Sequence, residues 1–294
     1  MNYPYIIIGL YISLNSYFKD FDKKHFNNPF EISKYSFKPA KKVVIENNKI
    51  DSTFLFTSKE LKKISFQELD YNAKYKIKYL IVPKGYRISL LPSVEKPNSF
   101  ESIVKTITEE GYFLMNAGMF HPNYNSVGLS ISEGKLVQAI DSTKTPQNGN
   151  FYMYPNGVFA IKNDFSAILT STDEFLKTSP KYSEFNTATQ SGPMLLLNNK
   201  IHPLFSPDSK NLNIRNGVGI TKNEDLIFAI SETEINFYDF ASFFKEHVKC
   251  TSALYLDGAI SEIYYRDKDK VSHTPRISSG KFGPVFFIKL DQKK

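Results

Sequence analysis

Gly217-Val218-Gly219-Ile220, Thr221-Lys222-Asn223-Glu224 and Leu226-Ile227-Phe228-Ala229-Ile230 read in succession as strand, turn and strand. Each apolar run is too short for an ordinary helix. Two such runs joined by a brief polar connection form a hairpin. The pattern recurs along the chain. Residues 127–131 and 135–140 flank Ser132-Glu133-Gly134, and residues 151–154 turn at Pro155-Asn156-Gly157 into 158–161. Met194-Leu195-Leu196-Leu197 turns at Asn198-Asn199-Lys200. Upstream, residues 52–56, 75–82 and 86–91 read as further strands at the edge of a sheet. Helical spacing is confined to three places. Ser99 caps a segment over 99–110 with Phe100, Ile103, Val104 and Ile107 on one face, and residues 172–177 and 238–248 supply the other two. Strand pairs with few helices predict an α+β fold: a mixed, mainly antiparallel β-sheet core with a few flanking helices, and not a doubly wound parallel sheet.

No linker rich in Gly, Pro or Ser divides residues 75–290, so residues 51–294 form one domain behind a lead-in over 1–50. The lead-in carries an apolar stretch at 5–14 of signal-core length with no Lys or Arg before it. Acting as a signal it places the protein in the periplasm or outside the cell; otherwise the protein is cytoplasmic. No stretch approaches the ~20 apolar residues of a membrane helix, so stable membrane insertion is not expected. The net charge of +7 favours anionic partners, but the basic residues are dispersed and no nucleic-acid-binding signature accompanies them. The single cysteine, Cys250, excludes an internal disulfide and reads as a small buried thiol at the end of an amphipathic helix. Neither dinucleotide nor P-loop glycine motifs occur, and no histidine spacing suits zinc; no cofactor and no metal is expected.

Three strand ends carry polar residues beside glycine. Ala253-Leu254-Tyr255-Leu256 runs into Asp257-Gly258, with Glu262 following; Leu114-Met115 runs into Asn116-Ala117-Gly118; and Thr187-Ala188-Thr189 runs into Gln190-Ser191-Gly192-Pro193. A carboxylate at the rim of an apolar strand is a candidate acid or base, although Asp-Gly alone is also a turn dipeptide. His121 is a second candidate acid or base. Only four of the 37 basic Lys and Arg residues are arginines. Arg215, beside Asn216-Gly217, offers the two-pronged donor geometry that suits phosphate or carboxylate; the competing reading pairs it with a loop carbonyl. Ser191 reads as a binding residue, not a nucleophile, because Pro193 removes an amide donor from the following turn.

Taken in order, Met115-Asn116-Ala117-Gly118-Met119-Phe120, Val127-Gly128-Leu129, Pro155-Asn156-Gly157-Val158-Phe159, Ala188-Thr189-Gln190-Ser191-Gly192-Pro193, Arg215-Asn216-Gly217-Val218-Gly219, Asn236-Phe237-Tyr238-Asp239-Phe240-Ala241 and Leu254-Tyr255-Leu256-Asp257-Gly258 resemble the phosphodiester glycosidase family, in its bacterial branch. The resemblance covers about residues 75–290. It implies hydrolysis of a sugar-1-phosphodiester, such as one of N-acetylglucosamine, to free sugar and phosphomonoester. It further implies Asp257, Arg215 and Glu262 as catalytic residues, with Asn116, Gln190, Ser191, Gly192, Ser231, Gly258 and His121 binding substrate. In that assignment Arg215 takes the phosphate with Gln190, Ser191 and the Gly192 amide, and Asp257 stabilises the cationic sugar or activates water. Asn116, Ser231 and Glu262 orient sugar hydroxyls. Two alternatives stand beside it: a non-catalytic module binding sugar-phosphate or glycan, and a phosphodiesterase cutting on the phosphorus side.

Overall fold

The structure is a computed structural model that describes residues 63–292 apart from 95, 145–148, 179, 259, 269 and 274–279. The lead-in, its apolar stretch and the strand expected at 52–56 lie outside the described residues. Seventeen strands are described: β1 (Ser65–Tyr71), β2 (Tyr75–Val82), β3 (Ser89–Leu91), β4 (Gly111–Asn116), β5 (Ser130–Ser132), β6 (Lys135–Gln138), β7 (Gly157–Lys162), β8 (Ala167–Ser171), β9 (Phe185–Ser191), β10 (Met194–Leu197), β11 (Lys200–Ile201), β12 (Asn216–Thr221), β13 (Leu226–Ser231), β14 (Cys250–Tyr255), β15 (Ile263–Asp267), β16 (Lys270–His273) and β17 (Val285–Lys289). They form three sheets, ordered β1-β2-β13-β12-β14-β10-β11, β16-β15-β4-β17-β3 and β6-β5-β9-β7-β8. All pairs are antiparallel.

The inner faces of the three sheets share one apolar core. Each sheet contributes one ring to its centre: Phe228 from the first, Phe286 from the second and Phe159 from the third, edge to face at centroid separations of 5.3–5.8 Å. Such pairs add about 0.5–1.5 kcal/mol each beyond the area they bury. The outer faces are covered by short helices. Helix α1 (Phe100–Val104) lies on the second sheet through Phe100 beside Tyr112 and Leu114. Helix α2 (Thr172–Lys177) places Phe175 against Val158, Ala160 and Phe185 of the third. Helix α3 (Phe237–Ser242) and the π-turn Phe243–His247 lay four phenylalanines over Ile227, Ala229 and Ala253 of the first. Gly219 makes this approach close: a Cβ there would lie 2.6 Å from Cys250 Sγ and 2.7 Å from the Phe244 ring.

The expected fold class holds, and several elements differ from their sequence reading. The helix expected over 99–110 starts at its Ser99 cap, whose Oγ accepts from Ser102 N at 3.2 Å, but stops at Val104. Ile103, Val104, Thr106, Ile107 and Thr108 are β-branched and lose rotamer freedom in a helix. Residues 151–154 do not form a strand. Asn150–Tyr152 is a 3₁₀ turn, and β7 pairs instead with β8, because Pro155 has no N–H to donate to a ladder. Cys250 is buried as expected but opens β14 instead of ending a helix.

Candidate active site

The polar residues at the strand ends gather where the three sheets meet. β12 begins, and β13 and β14 end, at the same edge, since Asn216 faces Ile230 and Gly217 faces Tyr255. There two asparagine amides interlock the first and second sheets. Asn216 Nδ2 donates to Asn116 O at 2.8 Å and to Asn116 Oδ1 at 3.1 Å. Asn216 Oδ1 accepts from the Asp257 amide at 2.8 Å and from Ser261 Oγ at 3.1 Å. Asn116 Oδ1 also accepts from the Glu262 amide at 2.9 Å. With that oxygen held by two donors, Asn116 Nδ2 is fixed as a donor, and it is buried with no hydrogen-bond partner among the described residues. Third-sheet Ser191 joins the same edge through Oγ, 2.6 Å from Leu256 O.

Asp257 projects from this frame, half-buried. Its Oδ1 accepts from the Gly258 amide at 2.7 Å. Burial pushes its carboxyl up to about 6 against the opposing pull of that amide. Ser261 Oγ, bonded to Asp257 O at 2.5 Å and Gly258 O at 2.7 Å, closes the turn behind it. Gly258 is required here because a Cβ would lie 2.1 Å from the Tyr255 hydroxyl. Glu262, itself buried, follows that turn and lies close to Gly280.

Arg215 lies beneath this turn and is 1% exposed. Its guanidinium packs on the Phe237 ring at 3.6 Å and near the Tyr255 ring at 5.6 Å. Nε donates to Ile235 O at 2.8 Å, and Nη2 donates to Asn211 O at 2.9 Å and Oδ1 at 3.3 Å. The loop-carbonyl reading therefore describes what Arg215 touches. Among the described residues no carboxylate pairs with it, and burial draws its pKa down. A buried cation without a counter-charge is costly, and here neutral oxygens of Ile235 and Asn211 take its described hydrogen bonds. The Tyr255 hydroxyl bonds both Arg215 and Asn150, and burial raises its pKa well above the ordinary phenol value.

The structure separates the remaining candidates into groups. Asn116, Asp257, Gly258 and Glu262 come together through Asn216 and Ser261, Arg215 reaches the same turn through Tyr255, and Ser231 sits behind Arg215, its Oγ accepting from the Arg215 amide at 3.0 Å. Gln190 departs from the phosphate role expected of it, because protein groups take up its whole amide. Oε1 accepts from Leu129 N (3.0 Å) and Asp141 N (2.9 Å), and Nε2 donates to Asp141 O (2.8 Å) and Thr172 Oγ1 (3.0 Å). Ser191 likewise spends its hydroxyl on Leu256. Gly192 packs under the loop before β7, a Cβ there falling 2.7 Å from Asn156 Cβ. His121 is exposed in a turn closed by its amide bond to Asn125 O, and no described hydrogen bond links its ring to the Asn116–Asp257 cluster. Asn216, Tyr255, Asn211 and Ser261 belong to the site although the sequence reading gave them no role; only the tight spacing Arg215-Asn216 and Tyr255-x-Asp257 signals the first two. Among the described residues no three His, Cys, Asp or Glu side chains gather as metal ligands, and no helix is long and apolar enough to cross a membrane.

Residues 110–287 match the family model described as phosphodiester glycosidase. The chain is 34% identical over 193 residues to the uncharacterized protein YigE of Escherichia coli (strain K12), covering 64% of this chain and 73% of YigE. Its fold is similar to the catalytic domain of zebrafish N-acetylglucosamine-1-phosphodiester alpha-N-acetylglucosaminidase auto-inhibited by its pro-peptide, with a TM-score of 0.53 and 16% identity over 78% of this chain and 82% of that one.

Proposed function

This chain belongs to the phosphodiester glycosidase family, and from that premise we propose that it hydrolyses the glycosidic bond of a sugar-1-phosphodiester, yielding free sugar and a phosphomonoester. The observation that carries the proposal is the buried Arg215 guanidinium, which has no carboxylate partner among the described residues and is linked through Tyr255 to the turn of the half-buried Asp257. A phosphodiester brings the anion that this cation lacks. A phosphomonoester leaves readily, so the chemistry needs charge compensation on the departing oxygens and support for a cationic C1 more than a strong acid.

In this reading Arg215 balances the phosphate charge while the C1–O bond breaks and its electron pair goes to the phosphate. Asp257, ionised above about pH 6, faces the developing positive charge or takes the proton of the water that attacks C1. Asn116 Nδ2, fixed and unpartnered, donates to a sugar hydroxyl, and Glu262 orients the sugar from the neighbouring turn. The name of the zebrafish relative makes N-acetylglucosamine the first sugar to try. Incubation with UDP-N-acetylglucosamine and with a synthetic N-acetylglucosamine-1-phosphodiester tests the proposal. Free N-acetylglucosamine is the expected sugar product of both, accompanied by UDP from the first and a phosphomonoester from the second. Sugar-1-phosphate would assign cleavage to the phosphorus side, and binding without any product would make the chain a recognition module.

A further inference from the structure

An exposed residue, Asn211, sits directly on the buried Arg215 guanidinium. Asn211, through its backbone and side-chain oxygens, takes both hydrogen bonds of Nη2. The strap that carries it, residues 207–213, is pinned at each end. Asn236 Nδ2 holds Pro207 O at 3.1 Å, and Asn213 pairs with Ile235 through amide bonds of 3.3 and 2.9 Å. Between the pins, the strap's other described bonds are local: Asp208 N to Ser206 Oγ, Ser209 N to Ser206 O, Leu212 N to Lys210 O, Asn211 N to Ser209 Oγ, and Asn213 Nδ2 to Asn211 Oδ1. Leu212 is 41% exposed and gives the strap no apolar anchor. The middle of the strap is thus held across to the rest of the domain by Arg215.

We propose that Asn211 occupies the place on Arg215 that the substrate phosphate takes, so that the phosphodiester displaces it and Asn211 sets the affinity for the anion. The inference rests on the sugar-1-phosphodiester reading above. A phosphate oxygen brings the opposite charge and the two-pronged geometry that a neutral carbonyl lacks, so the exchange runs toward the ligand once desolvation is shared. Nε on Ile235 O, the Phe237 ring and the Tyr255 hydroxyl keep the guanidinium in place while Nη2 changes partner. The two fixed ends let the strap bow outward without unfolding its neighbours.

The two substitutions at this position have effects of opposite sign. Asn211→Asp puts a carboxylate where the amide oxygen sits, pairs with Arg215 and competes with the ligand. Asn211→Ala deletes one of the two acceptors and loosens the strap. With the full chain, calorimetric titration of inorganic phosphate and the KM for a synthetic N-acetylglucosamine-1-phosphodiester read both. Phosphate affinity falls and KM rises about tenfold in Asn211→Asp, while in Asn211→Ala affinity rises and KM falls about two- to threefold. A parent protein that binds phosphate, with both variants unchanged or moving the same way, overturns the proposal and leaves the functional reading standing. A parent protein that neither binds phosphate nor turns over any sugar-1-phosphodiester overturns both.

Discussion

The same strands do opposite things at their middles and at their ends. In mid-molecule, Phe159, Phe228 and Phe286 bring three sheets together through rings that need nothing but apolar neighbours. A few residues along, β4, β12 and the chain beyond β14 present Asn116, Asn216 and Asp257, buried or half-buried groups tied to one another by hydrogen bonds between named donors and acceptors. The middle tolerates any side chain of the right volume, whereas the end tolerates only the right donor or acceptor. Stability is therefore concentrated in the first region and the proposed chemistry in the second, and substitutions separate the two.

The largest effect expected is on turnover. Asp257→Asn preserves shape and removes the ionisable group, so kcat/KM falls about 10²–10⁴-fold while the protein stays folded by circular dichroism. Near-normal turnover would dissolve the distinction at its chemical end. Phe228→Ala tests the other end: urea unfolding should show a loss of about 3–5 kcal/mol, with turnover per folded molecule close to that of the parent. Asn216→Ala addresses the residue shared by both regions. It leaves the Asp257 amide and Asn116 groups without their partner, at a cost of about 1–3 kcal/mol, and it lowers kcat more than it raises KM. A loss of stability with unchanged kcat would make Asn216 a purely structural link.

The smallest effect concerns pH. Burial raises the Asp257 carboxyl from 3.8 to about 6, so the folded protein holds this proton more tightly than the unfolded chain does. The resulting stabilisation is complete below about pH 4 and is lost as pH rises through 6. Asp257→Asn escapes that loss. At pH 7.5 it should be more stable than the parent by about 1–2 kcal/mol, allowing for partial exposure, and the difference should vanish below pH 4. Equal stability at both pH values would show that the carboxyl is not under strain from burial.

The hairpins around 198–200 and 221–225 and helix α2 were legible because turn residues punctuate apolar runs there. So was the placement of Asn116, Arg215 and Asp257 at or next to strand ends. The role of Gln190 was not legible, since its partners Leu129, Asp141 and Thr172 lie 61, 49 and 18 residues away and no local pattern couples them. Tyr255 was hidden within an apolar run, where a tyrosine reads as core until its hydroxyl is seen beside Arg215. Phe151-Tyr152-Met153-Tyr154 has strong strand formers, yet the backbone there is committed to a 3₁₀ turn that brings Asn150 to Tyr255, and tertiary contact overrides propensity.

Hydrolysis of an N-acetylglucosamine-1-phosphodiester in ¹⁸O-labelled water is the most direct test of a site built to release phosphate from a sugar. The label should enter at C1 of the freed sugar and be absent from the phosphomonoester, with Asp257→Asn abolishing its incorporation. Label in the phosphate, or no incorporation by the parent protein, would contradict the account.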